Sequence, residues 1–123
     1  MLATGCGGGG KIGNEELHEQ LESVQSTAAE GALLASDVAR DRTLGPFADV
    51  HSRVLAAQAA SAASFLNPDR AQAGLEPDVS RAARLAKSVE SSLDELELAE
   101  GDRAQMLARD LERDAHEAER LAS

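Results

Sequence analysis

The chain has no tryptophan, no tyrosine and only two phenylalanines, Phe47 and Phe65, in 123 residues. A core without rings must be aliphatic, and here it is mostly small: 24 Ala and 16 Leu stand against six Val and one Ile. β-branched and aromatic residues favour strands, so their scarcity argues against a sheet. Ala and Leu lose little rotamer freedom in a helix and favour it. Helices packed on alanine approach closely and bury little area each, which points to an all-α domain of modest stability.

Other absences narrow the function classes. The single cysteine, Cys6, excludes an internal disulfide and any structural zinc site built on paired cysteines. No run of eighteen apolar residues occurs, so no segment reads as a membrane-spanning helix. Clustered basic residues are missing as well. With 22 Asp and Glu against 12 Lys and Arg, the formal net charge is −10. That disfavours nucleic acid and anionic lipid head groups, both of which attract grouped Lys and Arg.

What is present begins at the amino end, "MLATGCGGGG". The stretch Leu2 to Cys6, LATGC, resembles a bacterial lipobox, with Ala3 where Leu is the commoner choice. The resemblance implies that Cys6 is the lipid-attachment residue, taking a diacylglyceryl group on its thiol, with cleavage just before it. A secretory signal also needs a basic region and an apolar stretch of roughly 7–15 residues upstream. Only Met1 and Leu2 precede the small residues, so this reading expects the translated start to lie further upstream. The glycine-rich stretch to Gly13 reads as a disordered tether reaching roughly 15 Å in root-mean-square terms. Residues 1–13 are thus expected to be lipobox and tether, and 14–123 the folded domain. In style the chain resembles small Ala- and Arg-rich helical lipoproteins of actinobacteria. That resemblance implies the outer face of the cytoplasmic membrane and carries no activity.

Four helical segments follow. Asn14 is the expected N-cap of the first, with Leu17, Leu21, Val24, Ala28, Gly31, Ala35 and Val38 as its seam. Ala28 and Gly31 leave room there for a neighbouring helix. The second runs from about Pro46 to Leu66, with Phe47, Val50, Val54, Ala57, Ser61 and Ser64 as its stripe and Leu55, Ala62 and Phe65 beside it. "NPDRAQAGLEPD" is the longest connection, after which Asp78 is expected to cap the third helix. Its seam is Val79, Ala82, Ala86, Val89, Leu93 and Leu96, with Leu85 beside it. Gly101 and Asp102 interrupt the pattern, Gly as a left-handed terminator and Asp as the next cap. Ala104, Leu107, Leu111, Ala115, Ala118 and Leu121 mark the last segment. One rod over 78–122 would extend about 67 Å against about 42 Å for the first helix. An antiparallel four-helix bundle is therefore expected, the alternative being three helices with a long final one.

Candidate chemistry is thin. Glu15 and His18 have the Glu-x-x-His spacing of di-metal bundle sites, but His51 and His116 lack the matching Glu. Glu90, Asp94 and Glu97 share a helical face without the ligand order of a calcium loop. Arg113 and Glu117 form a favourable i,i+4 pair. No Gly-x-Ser-x-Gly elbow is present, and "GCGGGG" lacks the Lys-Ser/Thr of a phosphate loop. No enzyme activity, metal, cofactor, nucleic acid or small-molecule substrate is expected. If a partner surface exists, the turn "ARDRTLGPFADVHSR" is the place to look, with Arg40, Arg42, Phe47, His51 and Arg53 as its candidates. The leading expectation is a membrane-tethered, extracytoplasmic helical module that binds or organises protein. The alternatives are a soluble cytoplasmic helical adaptor or oligomer and a ferritin-like metal protein.

Overall fold

The computed structural model describes residues 11–43 and 45–123. Four helices fill most of this span: α1 Asn14–Ala39, α2 Gly45–Phe65, α3 Glu76–Leu96 and α4 Gly101–Ala122. They form a bundle in which α1 packs most extensively on α4 and α2 on α3. α1 also approaches α3 across the diagonal, whereas the backbones of α2 and α4 stay further apart. Cross-helix contacts set the antiparallel order. His18 Nδ1 lies 3.0 Å from the Ala122 carbonyl, and Arg53 Nε donates to Glu97 at 2.6 Å.

Each helix end follows from local chemistry, displaced slightly from the expected caps. Gly13, rather than Asn14, is the N-cap of α1, and its N–H donates to the Glu16 carboxylate at 3.0 Å. That is one half of a capping box. α3 starts two residues before Asp78, with Leu75 as N-cap and Pro77 in the first turn, where an amide hydrogen has no helical partner. Asp78 instead sits inside the turn, near Arg81. Glu100 caps α4, displacing Asp102 by two residues. Gly101 has φ +47°, so the backbone reverses there and α3 and α4 separate into two helices rather than one rod.

The seams of α1, α3 and α4 face inward. Val24, Leu93, Leu107 and Leu111 are almost wholly enclosed, with alanines between them. Gly31 permits a close approach in this core. A Cβ built there would lie 2.7 Å from Leu93 Cδ2 and 3.3 Å from Leu111 Cδ1. The expected small patch at Ala28 and Gly31 is therefore where α3 and α4 press on α1.

α2 is turned the other way from expectation. It buries Ala48, Ser52, Leu55, Ala56, Ala59 and Ala62 and leaves Phe47, Val50, Val54, Ala57, Ser61 and Ser64 exposed. The alanine-rich side lies against the bundle, where small residues let helix backbones come together. The bulkier stripe, expected to be the seam, faces outward.

A second apolar cluster closes the far end of the bundle with Ile12, Leu17, Leu21, Leu66, Ala71 and Val79. Ile12 is 0% exposed and forms a parallel bridge with Ala71. Its N–H donates to the Arg70 carbonyl at 2.7 Å, and its carbonyl accepts from the Gln72 N–H at 2.9 Å. Burying an isoleucine contributes roughly 1.5–3 kcal/mol. Residues 12 and 13 thus belong to the bundle, not to the glycine-rich coil in which composition placed them. Opposite Ile12, Pro68–Arg70 forms a single 3-10 turn, with Asn67 Oδ1 accepting from the Asp69 N–H at 2.9 Å.

Candidate protein-binding surface

The turn after α1 is built on backbone hydrogen bonds that hold its charged side chains outward. Arg40 N–H donates to the Ser36 carbonyl at 3.0 Å, and Arg42 N–H to the Asp37 carbonyl at 2.8 Å. Asp41 between them adopts φ +57°, a conformation that Asp tolerates better than most residues. Arg40, Arg42 and Asp41 are all exposed.

The start of α2 carries the aromatic candidates. Phe47 is 59% exposed, and its ring meets His51 edge-to-face with centroids 5.5 Å apart. His51 Nε2 lies 3.5 Å from Glu30 on α1. Its Nδ1 is enclosed with no hydrogen-bond partner. Along the same outward line, Val50 is 58% and Val54 49% exposed.

Polar contacts flank this line on both sides. Toward α1 stand Glu30 with His51, and Thr27 Oγ1 donating to Gln58 at 3.3 Å. Toward α3 stands Arg53 with Glu97, whose hydrogen bond holds the guanidinium above its ordinary pKa. The outcome is an apolar strip between two polar edges. Arg53 is accordingly a strut between helices. Phe47, His51 and Arg53 thus share one side of the molecule. Arg40 does not join them: it lines the depression between α1 and α4 with Leu33, Arg109 and Glu112. Cys6 lies outside the described residues.

Sequence reasoning missed Val50, Val54 and Glu30 as parts of this surface. For the two valines the signal was compositional, since Asp49 and Arg53 are the only Asp, Glu, Lys or Arg side chains of α2. A helix so poor in charge has little to spend on a solvated face. Leu98, 92% exposed, was also unanticipated and lies near the same end of the bundle, beside a depression reaching Gly45 and Asp49.

No known family model, curated protein or solved structure matches this chain. The likeness to helical lipoproteins therefore rests on LATGC, the glycines that follow and the helical composition.

The remaining candidates are occupied by structural contacts. A depression of about 640 Å³ at the start of α1 is lined by Glu15, His18, Asp78 and Ser123. His18 is engaged at both nitrogens, with the Ala122 carbonyl and with Glu22 at 3.2 Å, while the Ser123 hydroxyl donates to the Glu119 carbonyl. Among the described residues, no three His, Cys, Asp or Glu side chains come together as a metal cage. The acidic run is divided by ion pairs, Glu97 with Arg53 and Glu95 with Arg103. The expected Arg113–Glu117 pair is replaced by two i,i+3 pairs: Arg113 turns to Asp110 at 3.4 Å, and Glu117 takes Arg120.

Proposed function

We propose that this protein is a non-enzymatic, membrane-tethered helical module that binds a protein partner through the outward face of α2. The observation that carries the reading is the exposed Phe47–Val50–Val54 strip, set on one helix between polar edges. Exposed contiguous apolar surface of this kind marks interaction sites. LATGC supports anchorage through Cys6. Ile12 supports a defined stance, because it is clamped at the end of the bundle opposite Phe47. From Cys6 to Ile12 the chain can span at most about 21 Å, so an anchored bundle would stand close to the lipid with the Phe47 end away from it.

Two measurements test the reading. Expression with the native upstream region is expected to yield protein that begins at a lipid-modified Cys6 and fractionates with membrane. An unmodified Met1 in soluble material overturns the anchor. A photo-crosslinking residue at Val50 is expected to give a discrete adduct in the native host, while one at Glu112 on α4 gives none. Equal labelling at both positions overturns the binding face.

A further inference from the structure

We infer that Lys11 and Ile12 form a strap that pivots at Gly13, opening and reclosing on the bundle as a unit of its own while the four helices stay packed. The strap is independent of the function proposed above; only its consequence for an anchored protein rests on that reading.

The first argument is how lightly the strap is fastened. Ile12 lies in the smaller apolar cluster, with Leu17, Leu66 and Val79, apart from the main core around Leu93, Leu107 and Leu111. What joins it to the loop is one buried side chain and the two backbone hydrogen bonds to Arg70 and Gln72. Lys11 before it is exposed. A chain end held by so few contacts lies at the low-stability end of a structure's range. Closing it fixes backbone that is otherwise free, which opposes the gain from burying Ile12.

The second argument is that both sides of its socket are built without it. The loop is turned by its own hydrogen bonds. Arg70 N–H donates to the Asn67 carbonyl at 2.9 Å, Ala71 N–H to the Pro68 carbonyl at 3.1 Å, and Leu75 N–H to the Gln72 carbonyl at 2.9 Å. The Arg70 guanidinium also lies over the Phe65 ring, 5.4 Å from its centre. Across the socket, the Gly13 carbonyl accepts from the Leu17 N–H at 3.0 Å, and the Gly13 N–H is held by Glu16. His18 ties the same turn to the Ala122 carbonyl. The Arg70 carbonyl and the Gln72 N–H therefore keep their places when Ile12 leaves, and reclosure needs only the strap to move.

Opening turns Leu17, Leu66 and Val79 toward water, which keeps the closed state in the majority. In an anchored protein the strap sets the attitude of the bundle. Closed, the leading chain is held both at the start of α1 and at the loop after α2. Open, it is held at Gly13 alone, and the bundle swings.

Amide hydrogen exchange of the full 123-residue chain, carrying Cys6→Ser to prevent disulfide linkage, tests this at urea concentrations below about 1 M. The Ile12 and Gln72 N–H groups are themselves the donors of the two bonds, so they report the strap directly. They are expected to be protected, to share one opening equilibrium although about sixty residues apart, and to respond little to urea. The Leu93 and Leu111 amides are expected to exchange more slowly and to quicken steeply with urea. Trypsin supplies a second readout, since cleavage after Lys11 requires the strap to leave its socket. Ile12→Ala is expected to accelerate that cleavage about tenfold or more, and Ile12→Val by less. Ile12 and Gln72 amides with the urea dependence of Leu93 overturn the inference, because the strap then opens only with the whole bundle. Absence of protection at either amide overturns it too, as does cleavage after Lys11 that Ile12→Ala leaves unchanged. None of these readouts involves a lipid on Cys6, so a failed anchor and a failed strap are told apart.

Discussion

α2 and α4 are nearly equal in length, 21 and 22 residues, and belong to one bundle, yet they solve burial differently. α4 is divided cleanly. Ala104, Leu107, Leu111, Ala115 and Ala118 face the core, and four arginines with most of its six acidic residues face water. α2 has little charge and two apolar faces, and only one of them meets the bundle. The difference teaches that helical periodicity locates stripes but does not say which stripe turns inward. In α4 solvation of charge decides. In α2 the bundle takes the alanine side, because close backbone approach requires small residues, and the bulkier side is left over.

The sharpest way to break this contrast is to shorten one side chain on each helix. Leu111→Ala empties a fully enclosed site on α4 and is expected to cost about 3–4 kcal/mol in chemical denaturation. Val54→Ala on α2 is expected to change stability by no more than about 0.5 kcal/mol. Comparable losses would mean that Val54 is enclosed after all. A smaller effect is expected where α4 presses on α1. Gly31→Val drives side-chain atoms into Leu93 and Leu111 and is expected to cost about 1–3 kcal/mol, read as a lowered denaturation midpoint. A gain in stability would show that these leucines yield freely.

The smallest effect concerns the only carboxylate enclosed among the described residues. Asp114, 5% exposed on α4, accepts a hydrogen bond from the Ser88 hydroxyl at 2.8 Å. Burial pushes its pKa up, and the Ser88 bond opposes this only in part. The folded chain therefore holds this proton at pH values where the unfolded chain has lost it. Stability contributed by Asp114 falls as pH rises from its ordinary value, about 4, through the raised one. Asp114→Asn keeps an acceptor for Ser88 and is expected to raise the Tm at pH 7, with the gain shrinking toward pH 4. A gain that is the same at both values would locate the effect elsewhere.

The sequence made much of the fold legible. The seams of α1, α3 and α4 were readable because leucines and valines recur on one side while charges crowd the other. The break at Gly101 was readable because a continuous rod would outrun its partners. The inward face of α2 was not, since Leu55 and four alanines are a weaker apolar signal than Phe47, Val50 and Val54. Nor was Ile12, whose partners Arg70, Ala71 and Gln72 lie about sixty residues away and show no period. At the surface, Phe47 and His51 were singled out as candidates through their turn. The strip that extends them was hidden by its likeness to a core.

The Ile12 clasp has a mechanical consequence. Tension applied to the leading residues passes first into two backbone hydrogen bonds with the loop between α2 and α3, and only afterwards into the first turn of α1. A tug at that end is thereby shared by separate parts of the chain instead of peeling one helix from its tip.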